Sequence, residues 1–450
     1  MADHQTWTKV LRLIASMEEP LVVVSATART TRELVRAAEC ASRGDVGQAM
    51  TIVRGIEQRH LHIVESFAEE LQGDHVDAIA SCDRYVADRM DELRRDLALM
   101  NRDGGRGNGR NSNGFSDMHS GGVLDVRTAE LMDRVAGTGE LLSSYLLTQC
   151  GKMAGLPLEF VDSRTVVKTD DTFGAAVPDE ERSAVGCGFL VEMIRAGRIP
   201  VLGGYIGEAP GGQPTTLGFE GSDVTATFLG GLTGASKVTI WTDVDGIYSC
   251  DPRVVPAAVR LDQLPFEGAE RMAKCGAKVL HPNTLQPVSD RGIPVFVRNL
   301  FAPEGAGTRI SGRLDGQGRW GFSAIAFMPE VRAGGAEKYA GYRVSVIGLM
   351  PERWRRVERH VGNLVIAGTS AGLSGTSAGS SGASIGSSGA SAVSGLMSEK
   401  NTDHVTRSRT PSEYPGLDIN YDDTHAFLSL WMPDEEFENR LRVLYHLTCE

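Results

Sequence analysis

Short apolar runs alternate with helical stretches along the first two thirds of the chain, and this alternation restricts the fold more than any other feature. Strand-like pieces such as LEFVDS, IPVLGGYIG and GIPVFVRNL are separated by pieces with helical spacing, such as AVGCGFLVEMIRAG. The run PLVVVSA is continuously apolar and rich in valine, which is typical of a strand buried on both faces of a parallel sheet. Together they predict a layered α/β domain with a mainly parallel sheet.

Two helices are predicted around the run PLVVVSA. The segment TWTKVLRLIASM before it has helical spacing, with Leu11, Ile14 and Ala15 on one face. After the run, a loop leads into a helix that we expect to begin near Thr30.

Two low-complexity segments predict the domain organisation. Residues 101–122 are rich in Gly, Asn and Ser, and residues 368–395 consist almost entirely of Gly, Ser and Ala. Such segments bury little apolar surface and behave as flexible loops or linkers. We predict a first domain over residues 1–312 with a flexible loop at 101–122, and a second, small α+β unit over residues 320–450. A disordered insert at 367–413 interrupts this second unit.

The small unit is predicted from its apolar segments. SAIAFM, GYRVSVIGLM and HAFLSLWM predict strands, whereas PERWRRVERHVGN and PDEEFENRLRVLYHLT predict helices.

Composition excludes several classes of function. Lys and Arg number 46 against 58 Asp and Glu, a formal net charge of -12, which argues against a nucleic-acid binder or a polybasic membrane patch. The 7 cysteines are scattered without a C-x-x-C pair, so we expect neither a disulfide framework nor a cysteine metal site, and we expect a cytoplasmic location. No stretch approaches the roughly 18 apolar residues of a membrane span.

The segment TTLGFEGSDVTATFL has the pattern of a turn that holds an anion at the N-terminus of a helix. Gly218 and Gly221 allow close approach to a ligand, and the unpaired amides of a helix N-terminus favour negative charge. Ser222 can donate to a ligand oxygen, and Asp223 can hold Mg²⁺ or orient a positive group. The alternative is that the Ser-Asp pair simply caps the helix.

A second candidate segment is TIWTDVDGIYSCDPRVVP. A buried strand is predicted to end at Thr242 and Asp243, and ligands of open α/β sheets bind beyond the carboxyl ends of strands. The following loop offers Tyr248 for stacking and Arg253 for phosphate, although an ordinary turn fits equally well. Downstream, CGAKVLHPNTL adds Lys278.

A carboxylate at the start of another predicted helix completes the candidates. In GTGELLSSYLL, Glu140 lies in the first helical turn. It either stabilises the helix dipole or binds a substrate ammonium group. The turn GGYIG follows a strand and can lie against phosphates.

These segments together resemble the aspartate kinases of the amino acid kinase family. The stretches WTDVDGIYSCDPR and GAKVLHP are highly specific to that family, and the resemblance covers most of the chain from Leu21 to Ser311. The tail after Trp320 is similar to an ACT-type regulatory region, here in reduced form. The resemblance implies a three-layer α/β/α sandwich with a mainly parallel sheet, followed by a small ACT-like α+β domain.

The resemblance also implies an activity and a set of site residues. The reaction would transfer the γ-phosphoryl group of ATP, with Mg²⁺, to the side-chain carboxylate of L-aspartate, giving 4-phospho-L-aspartate for lysine, threonine and methionine synthesis. The residues implied to contact the nucleotide are Thr242, Asp243, Tyr248, Arg253, Lys278 and Val279. Those implied to bind aspartate are Thr31, Glu140 and Ser222, and those implied to be catalytic are Ser222 and Asp223. An amino-acid effector, lysine or threonine, would bind the tail between chains of a homo-oligomer; the alternative is a tail that serves only in dimerisation.

The sequence departs from the family pattern on the aspartate side. The K-F-G-G-T-S signature is not found. In T-T-L-G-R-G-G-S-D, where the family arginine clamps the aspartate α-carboxylate, this chain has Phe219 and then Glu220 in place of glycine. The family's G-x-T-N loop is here Arg29-Thr30-Thr31-Arg32, and Gly137 replaces a serine before the helix glutamate. Losing a charge-assisted hydrogen bond costs roughly 1.5–3 kcal/mol, more than tenfold in affinity.

Three hypotheses follow from the sequence. The first is an active aspartate kinase. Alternatively, the chain binds nucleotide without turnover and acts as a regulatory subunit. The third hypothesis is a kinase of the same fold with another substrate, in which Phe219 shapes an apolar pocket. A separate expectation is that Arg29 or Arg32 supplies replacement positive charge near the phosphates or the aspartate.

Overall fold

The computed structural model of the chain describes residues 3–104, 125–277, 280, 282–312, 324–334, 337–349, 417–422, 425–433 and 437–449. The chain divides into two compact units. The first comprises Met1–Asp243, Asn283–Ile293 and Leu300–Glu304. The second comprises Val244–Pro282, Pro294–Asn299 and Gly305–Glu450.

The elements are numbered in chain order. The helices are α1 His4–Ala15, α2 Thr30–Ser42, α3 Val46–Leu71, α4 Val76–Gly104, α5 Val126–Ala136, α6 Thr138–Met153, α7 Ser163–Val166, α8 Glu180–Arg195, α9 Gly221–Thr233, α10 Phe266–Lys274, α11 Pro282–Ser289 and α12 Phe437–Thr448. The strands are β1 Val22–Val24, β2 Leu158–Val161, β3 Ile199–Gly203, β4 Ile206–Glu208, β5 Pro214–Thr216, β6 Val238–Thr242, β7 Gln263–Pro265, β8 Val295–Asn299, β9 Thr308–Ser311, β10 Ala324–Gly334, β11 Glu337–Leu349, β12 Leu417–Asp422 and β13 His425–Pro433.

A parallel sheet in the first unit confirms the prediction from apolar alternation. Its strand order is β1-β3-β2, and β3 pairs in parallel with both neighbours. The helix predicted near Thr30 begins there, as α2. In α1, Leu11 and Ile14 are buried as predicted, but Ala15 is exposed because the helix ends at that residue.

The core of the first unit lies between the sheet and the long helices. Buried apolar side chains from α1 to α6 and from all three strands form one continuous cluster, which includes Trp7, Leu34, Ile56, Leu146 and Val201. Burial of such side chains is worth about 1.5–3 kcal/mol each, so this cluster supplies a rigid support for the loops at the strand ends.

Two small sheets make up the second unit. In one, β9 pairs in parallel with β7 and antiparallel with β8. The other is antiparallel, with the order β10-β11-β13-β12. The predicted strands SAIAFM, GYRVSVIGLM and HAFLSLWM lie in β10, β11 and β13, and α12 confirms the last predicted helix.

Several predicted segments fall partly or wholly outside the described residues. The helix PERWRRVERHVGN and the insert at 367–413 lie outside them, as does the loop at 101–122 from residue 105 onward. Residues Asn101–Gly104 belong to α4 instead of to a loop, because the helix continues past its last apolar residue.

The compact units do not follow the predicted boundary at residues 312–320. Val244–Pro282 groups with the tail, because its side chains share the apolar cluster of β10, β11 and α12. The division into a domain over 1–312 and one over 320–450 stays a prediction. Among the helices that the structure describes, we find none with the length and apolar character needed to cross a bilayer.

Candidate active site

The loop after β1 forms one wall of the candidate site. It runs from Ser25 to Arg29 and leads into α2, whose second residue is Thr31. Arg29 has φ 70 and ψ -11, the left-handed region that glycine occupies without strain. The family glycine at this position in the G-x-T-N pattern is thereby explained, and the backbone keeps that conformation although the residue is arginine.

Glu140 is a buried carboxylate that faces this loop. It lies in the first turn of α6, is 3 % exposed, and its Oε1 accepts a hydrogen bond of 3.2 Å from the Ala26 amide. Its Oε2 is buried without a hydrogen-bond partner among the described residues. Burial raises the pKa of Glu140 to about 8, since a carboxylate deprived of water favours its neutral form. Buried polar atoms without a partner are rare in proteins, so Glu140 is a candidate for contact with a ligand.

Glycines allow the start of α6, the end of β3 and the start of α9 to approach the loop after β1 and one another. A Cβ built at Gly139 would lie 2.8 Å from Ala26 Cβ, and one at Gly203 would lie 2.8 Å from the Glu140 carbonyl oxygen. A Cβ at Gly204 would lie 2.6 Å from Ser222 Cα. These distances are shorter than real Cβ contacts, so the start of α6, the end of β3 and the start of α9 meet only because glycines stand there.

The turn before α9 has the most unusual backbone of the site. Glu220 is the N-cap residue, with φ 55 and ψ 27, and its side chain makes no capping hydrogen bond. The interpretation that Ser222 and Asp223 merely cap the helix is therefore wrong, because α9 already begins at Gly221. Phe219, at the position of the family arginine, is 67 % exposed.

Asp223 lies in the first turn of α9 and is partly buried. Burial and, to a smaller extent, the negative charge of Glu220 together raise its pKa to about 7. A cation beside Asp223 would reverse this effect and favour the carboxylate form.

Asp133, a buried acid on α5, holds the end of β5, the strand that leads into this turn. Sequence analysis missed this residue. Asp133 Oδ2 accepts from the amides of Gly174 at 2.9 Å and Thr216 at 2.7 Å, and its Oδ1 accepts from Thr216 Oγ1 at 2.8 Å. Burial raises its pKa to about 6 although these hydrogen bonds lower it. The available signal was an acid at a position where the helical spacing of α5 requires an apolar residue.

The predicted nucleotide residues are divided between the units. Thr242 ends β6 in the first unit, where its carbonyl accepts from the Leu300 amide at 2.9 Å and its hydroxyl donates to Asp243 Oδ1 at 3.3 Å. Tyr248 and Arg253 belong to the second unit, whereas Lys278 and Val279 lie outside the described residues.

Arg253 is exposed and is paired with a neighbouring carboxylate. Its guanidinium forms a two-point ion pair with Asp251, with Nη2 to Oδ2 at 2.6 Å, and its side chain is 71 % exposed.

The predicted amino-acid residues are brought together within the first unit. Thr31 lies at the start of α2, Glu140 at the start of α6, and Ser222 and Asp223 at the start of α9. The glycine contacts join these segments. Arg29 and Arg32 are exposed, and neither has an ion pair among the described residues. The hypothesis that one of them replaces the family arginine stays a prediction.

The fold and the sequence pattern identify the class of protein. The Amino acid kinase family matches residues 1–299, and the chain belongs to that family. Lysine-sensitive aspartokinase 3 of Escherichia coli is 41% identical over 186 residues, which are 41% of each chain. The chloroplastic Bifunctional aspartokinase/homoserine dehydrogenase 2 of Arabidopsis thaliana is 40% identical over 181 residues, 40% of this chain and 19% of that one. The match thus spans less than half the length of these relatives.

Solved structures confirm the predicted fold class. The crystal structure of E. coli aspartokinase III in complex with aspartate and ADP matches with a TM-score of 0.69 and 22% identity. The match covers 99% of this chain and 97% of that chain. The resemblance to aspartate kinases in sequence is confirmed by these relatives.

Proposed function

We propose that the chain is an aspartate kinase, which transfers the γ-phosphoryl group of ATP to the side-chain carboxylate of L-aspartate. The relatives named above are aspartokinases, and E. coli aspartokinase III was crystallised with aspartate and ADP. The observation that carries the proposal is Glu140, whose buried Oε2 lacks a partner among the described residues. The ammonium group of an amino acid supplies the positive charge and the donors that this oxygen lacks.

The reaction needs positioning more than it needs a base. The attacking carboxylate is already an anion, so the task is to hold it in line with the γ-phosphorus and to offset repulsion between two anions. We propose that Glu140 holds the ammonium group, that Thr31 and Ser222 donate hydrogen bonds to the substrate, and that the amides at the start of α9 face developing negative charge. Asp223 lies in the same turn.

Magnesium belongs to the proposed substrate complex with ATP. Mg²⁺ is usually bound by one or two carboxylates together with phosphate oxygens. Asp223 fits this role, because its partly buried carboxylate has a raised pKa that a cation would lower. The ion supplies charge neutralisation at the phosphates.

The residues that bind the nucleotide are proposed from the family pattern. They are Thr242, Asp243, Tyr248, Arg253, Lys278 and Val279. Arg253 already binds the carboxylate of Asp251 at two points, the geometry that a guanidinium also uses for phosphate.

A kinase of the same fold with another acceptor is the second candidate. It is favoured by Phe219, a 67 % exposed aromatic side chain at the position where the family pattern has an arginine. An acceptor without an α-carboxylate would contact this ring without losing an ion pair.

Location, assembly and regulation follow as proposals. We propose a cytoplasmic enzyme, which agrees with seven free cysteines. E. coli aspartokinase III has also been crystallised with lysine and aspartate, and this supports an amino-acid effector, lysine or threonine, for a homo-oligomer of this chain.

The proposal is tested by a coupled assay of ADP release with and without aspartate, beside calorimetry with ATP and magnesium. We expect aspartate-dependent ADP release in the native protein. In Glu140→Gln, loss of the charge should raise the aspartate KM by more than about tenfold and leave the ATP KM unchanged. Tight ATP binding without aspartate-dependent release would instead indicate a non-catalytic subunit, and faster turnover of an acceptor without an α-carboxylate would indicate the second candidate.

A further inference from the structure

A chain of buried hydrogen bonds runs beneath the loop after β1. His60, on α3, is fully buried; its Nε2 lies 2.9 Å from Thr27 Oγ1, and its Nδ1 lies 2.7 Å from the Ile56 carbonyl oxygen. Thr27 Oγ1 lies 2.7 Å from Thr30 Oγ1, and Arg59 Nη2 donates to Thr30 Oγ1 at 3.1 Å.

The chemistry of the partners fixes the direction of every proton in this chain. The Ile56 carbonyl can only accept, so His60 Nδ1 carries the proton and the neutral ring offers the lone pair of Nε2. The Thr27 hydroxyl therefore donates to Nε2, and the Thr30 hydroxyl donates to Thr27 Oγ1. Thr30 Oγ1 is then free to accept from Arg59, as observed.

The ring stays neutral across the working range of pH. Burial is the main reason that the pKa of His60 is lowered to about 4, and the positive charge of Arg59 lowers it as well. The Ile56 hydrogen bond and the negative charge of Glu33 raise the pKa, but they do not offset burial. A protonated ring would turn Nε2 into a donor and leave the Thr27 hydroxyl without its acceptor.

The chain ends in an ion pair and passes through the loop of the candidate site. Arg59 binds both carboxylate oxygens of Glu33, which lies on α2. In the middle of the chain, Thr27 is next to Ala26, whose amide donates to Glu140. Thr27 and Thr30 are both buried, so neither hydroxyl can exchange its partner for water without opening the loop.

We propose that His60 is a positioning residue for the amino-acid half of the site. By accepting the Thr27 hydroxyl, it fixes the loop that presents Thr31 and the Ala26 amide, although it does not touch the substrate itself. This inference rests on the proposed function for its effect on aspartate, whereas its effect on the loop does not.

Two pairs of variants test the inference. His60→Leu removes the acceptor, while His60→Gln keeps an acceptor for Thr27. Thr27→Val removes the hydroxyl, while Thr27→Ser keeps it. Thr148→Val is the matched control, because Thr148 is equally buried but its hydroxyl bonds within α6 to the Ser144 carbonyl.

Amide hydrogen exchange of residues 25–31 gives a readout that does not depend on activity. Loss of one buried hydrogen bond should speed exchange about threefold to tenfold in His60→Leu and Thr27→Val. Thr27→Ser, His60→Gln and Thr148→Val should stay near the native rate. Unchanged exchange in His60→Leu would overturn the inference.

Kinetics then connect the loop to the substrate. We expect the aspartate KM to rise about threefold to tenfold in His60→Leu and Thr27→Val, with the ATP KM unchanged. The double variant with His60→Leu and Thr27→Val should have an aspartate KM no higher than either single variant, because both substitutions remove the same hydrogen bond. An equal rise in both KM values would assign His60 a general structural role and overturn the inference. A native protein without turnover would overturn the proposed function alone, and hydrogen exchange would still decide the role of His60.

Discussion

Glu140 combines a position that suits an ammonium group with a pKa that opposes it. Because burial raises this pKa to about 8, the empty site holds mostly the neutral acid at pH 7. An ammonium ligand requires the carboxylate, so binding must release a proton. We expect aspartate affinity to rise with pH up to about 8 and to level off above it.

Calorimetry in buffers of different ionisation enthalpy measures this proton directly. Nearly one proton should be released per bound aspartate at pH 7, and fewer at pH 8.5. Glu140→Gln should remove the pH dependence together with most of the affinity. Proton uptake on binding, or affinity that falls from pH 6.5 to 8, would contradict the prediction.

Glu220 affects the turn before α9 in two ways, through its strained backbone and through its negative charge. Its φ of 55 is the left-handed region, where a residue with a Cβ is strained by about 1–2 kcal/mol. Its charge is also a cause of the raised pKa of Asp223. Glu220→Gly should therefore stabilise the protein by about 1 kcal/mol, measured by urea unfolding, and lower the pKa of Asp223.

Glu220→Gln separates the two effects. It removes the charge and keeps the strained backbone, so we expect the lower Asp223 pKa without the gain in stability. The Asp223 pKa is read from carboxyl NMR titration. If Glu220→Gln were stabilised as much as Glu220→Gly, the backbone explanation would fail.

At the scale of elements, α12 holds the loop that carries Tyr248 and Arg253. The Tyr445 hydroxyl lies 2.7 Å from Ser249 Oγ, donates to the Ala257 carbonyl at 3.1 Å and accepts from the Val259 amide at 3.2 Å. Tyr445→Phe should loosen this loop and raise the ATP KM a few-fold, while the aspartate KM changes less. Limited proteolysis within residues 248–259 gives a second measure.

Tyr342→Phe is the control for this prediction. The Tyr342 ring stacks on Phe437 with centroids 3.9 Å apart, and its hydroxyl has no hydrogen bond among the described residues. Both variants therefore remove one hydroxyl from an aromatic ring of the same unit. Equal effects of the two on ATP kinetics would argue against a specific role of α12.

Helices and strands were predicted correctly from the sequence where a local pattern alone determines the conformation. The valine run of β1 gave a parallel strand, and a helix began at Thr30, because apolar periodicity acts over a few residues. The strand β12 was missed because its segment LDINYD lacks a strong apolar pattern. Pairing with β13, which supplies its backbone hydrogen bonds, decides its conformation.

The candidate site was predictable only in part, because some of its contacts join residues that are far apart in the sequence. Glu140 and Ser222 follow from local patterns and from the family resemblance. The hydrogen bonds of Asp133 and His60 join positions far apart in sequence, such as Asp133 and Thr216 or Thr27 and His60. No spacing rule encodes such contacts, and the unpartnered oxygen of Glu140 became visible only with them.

For the molecule as a whole, the buried acids of the first unit set the pH dependence of stability. Burial raises the pKa of Asp133 to about 6, of Asp223 to about 7 and of Glu140 to about 8, above their values of 3.8 to 4.5 when unfolded. The folded state therefore binds more protons than the unfolded one. Stability from this source is full below the unfolded pKa values and is lost as pH rises through the folded ones.

His60 changes the stability of the protein in the opposite direction, and it does so at lower pH. Its folded pKa of about 4 lies below 6.5, so its neutral form stabilises the protein above pH 6.5 and that contribution is lost as pH falls toward 4. Between pH 7 and 8 both the folded and the unfolded state of His60 are mostly neutral, so His60 adds little to the slope. In that window Asp133 is largely ionised and Asp223, with a pKa of about 7, loses the rest of its proton, whereas Glu140, with the highest pKa, makes the largest contribution to the slope.

Glu140→Gln isolates this contribution in the unfolding free energy. Each extra bound proton gives a slope of about 1.4 kcal/mol per pH unit, so the native protein should lose about 1 kcal/mol from pH 7 to 8 without ligand. The Gln variant cannot ionise and should lose much less over the same interval, in urea unfolding at fixed ionic strength. Because ligand binding demands the carboxylate, saturating aspartate should flatten the slope of the native protein as well. Parallel slopes for the native protein and the variant would mean that Glu140 is ionised in the folded state at neutral pH, and its buried oxygen would then need a partner other than a proton.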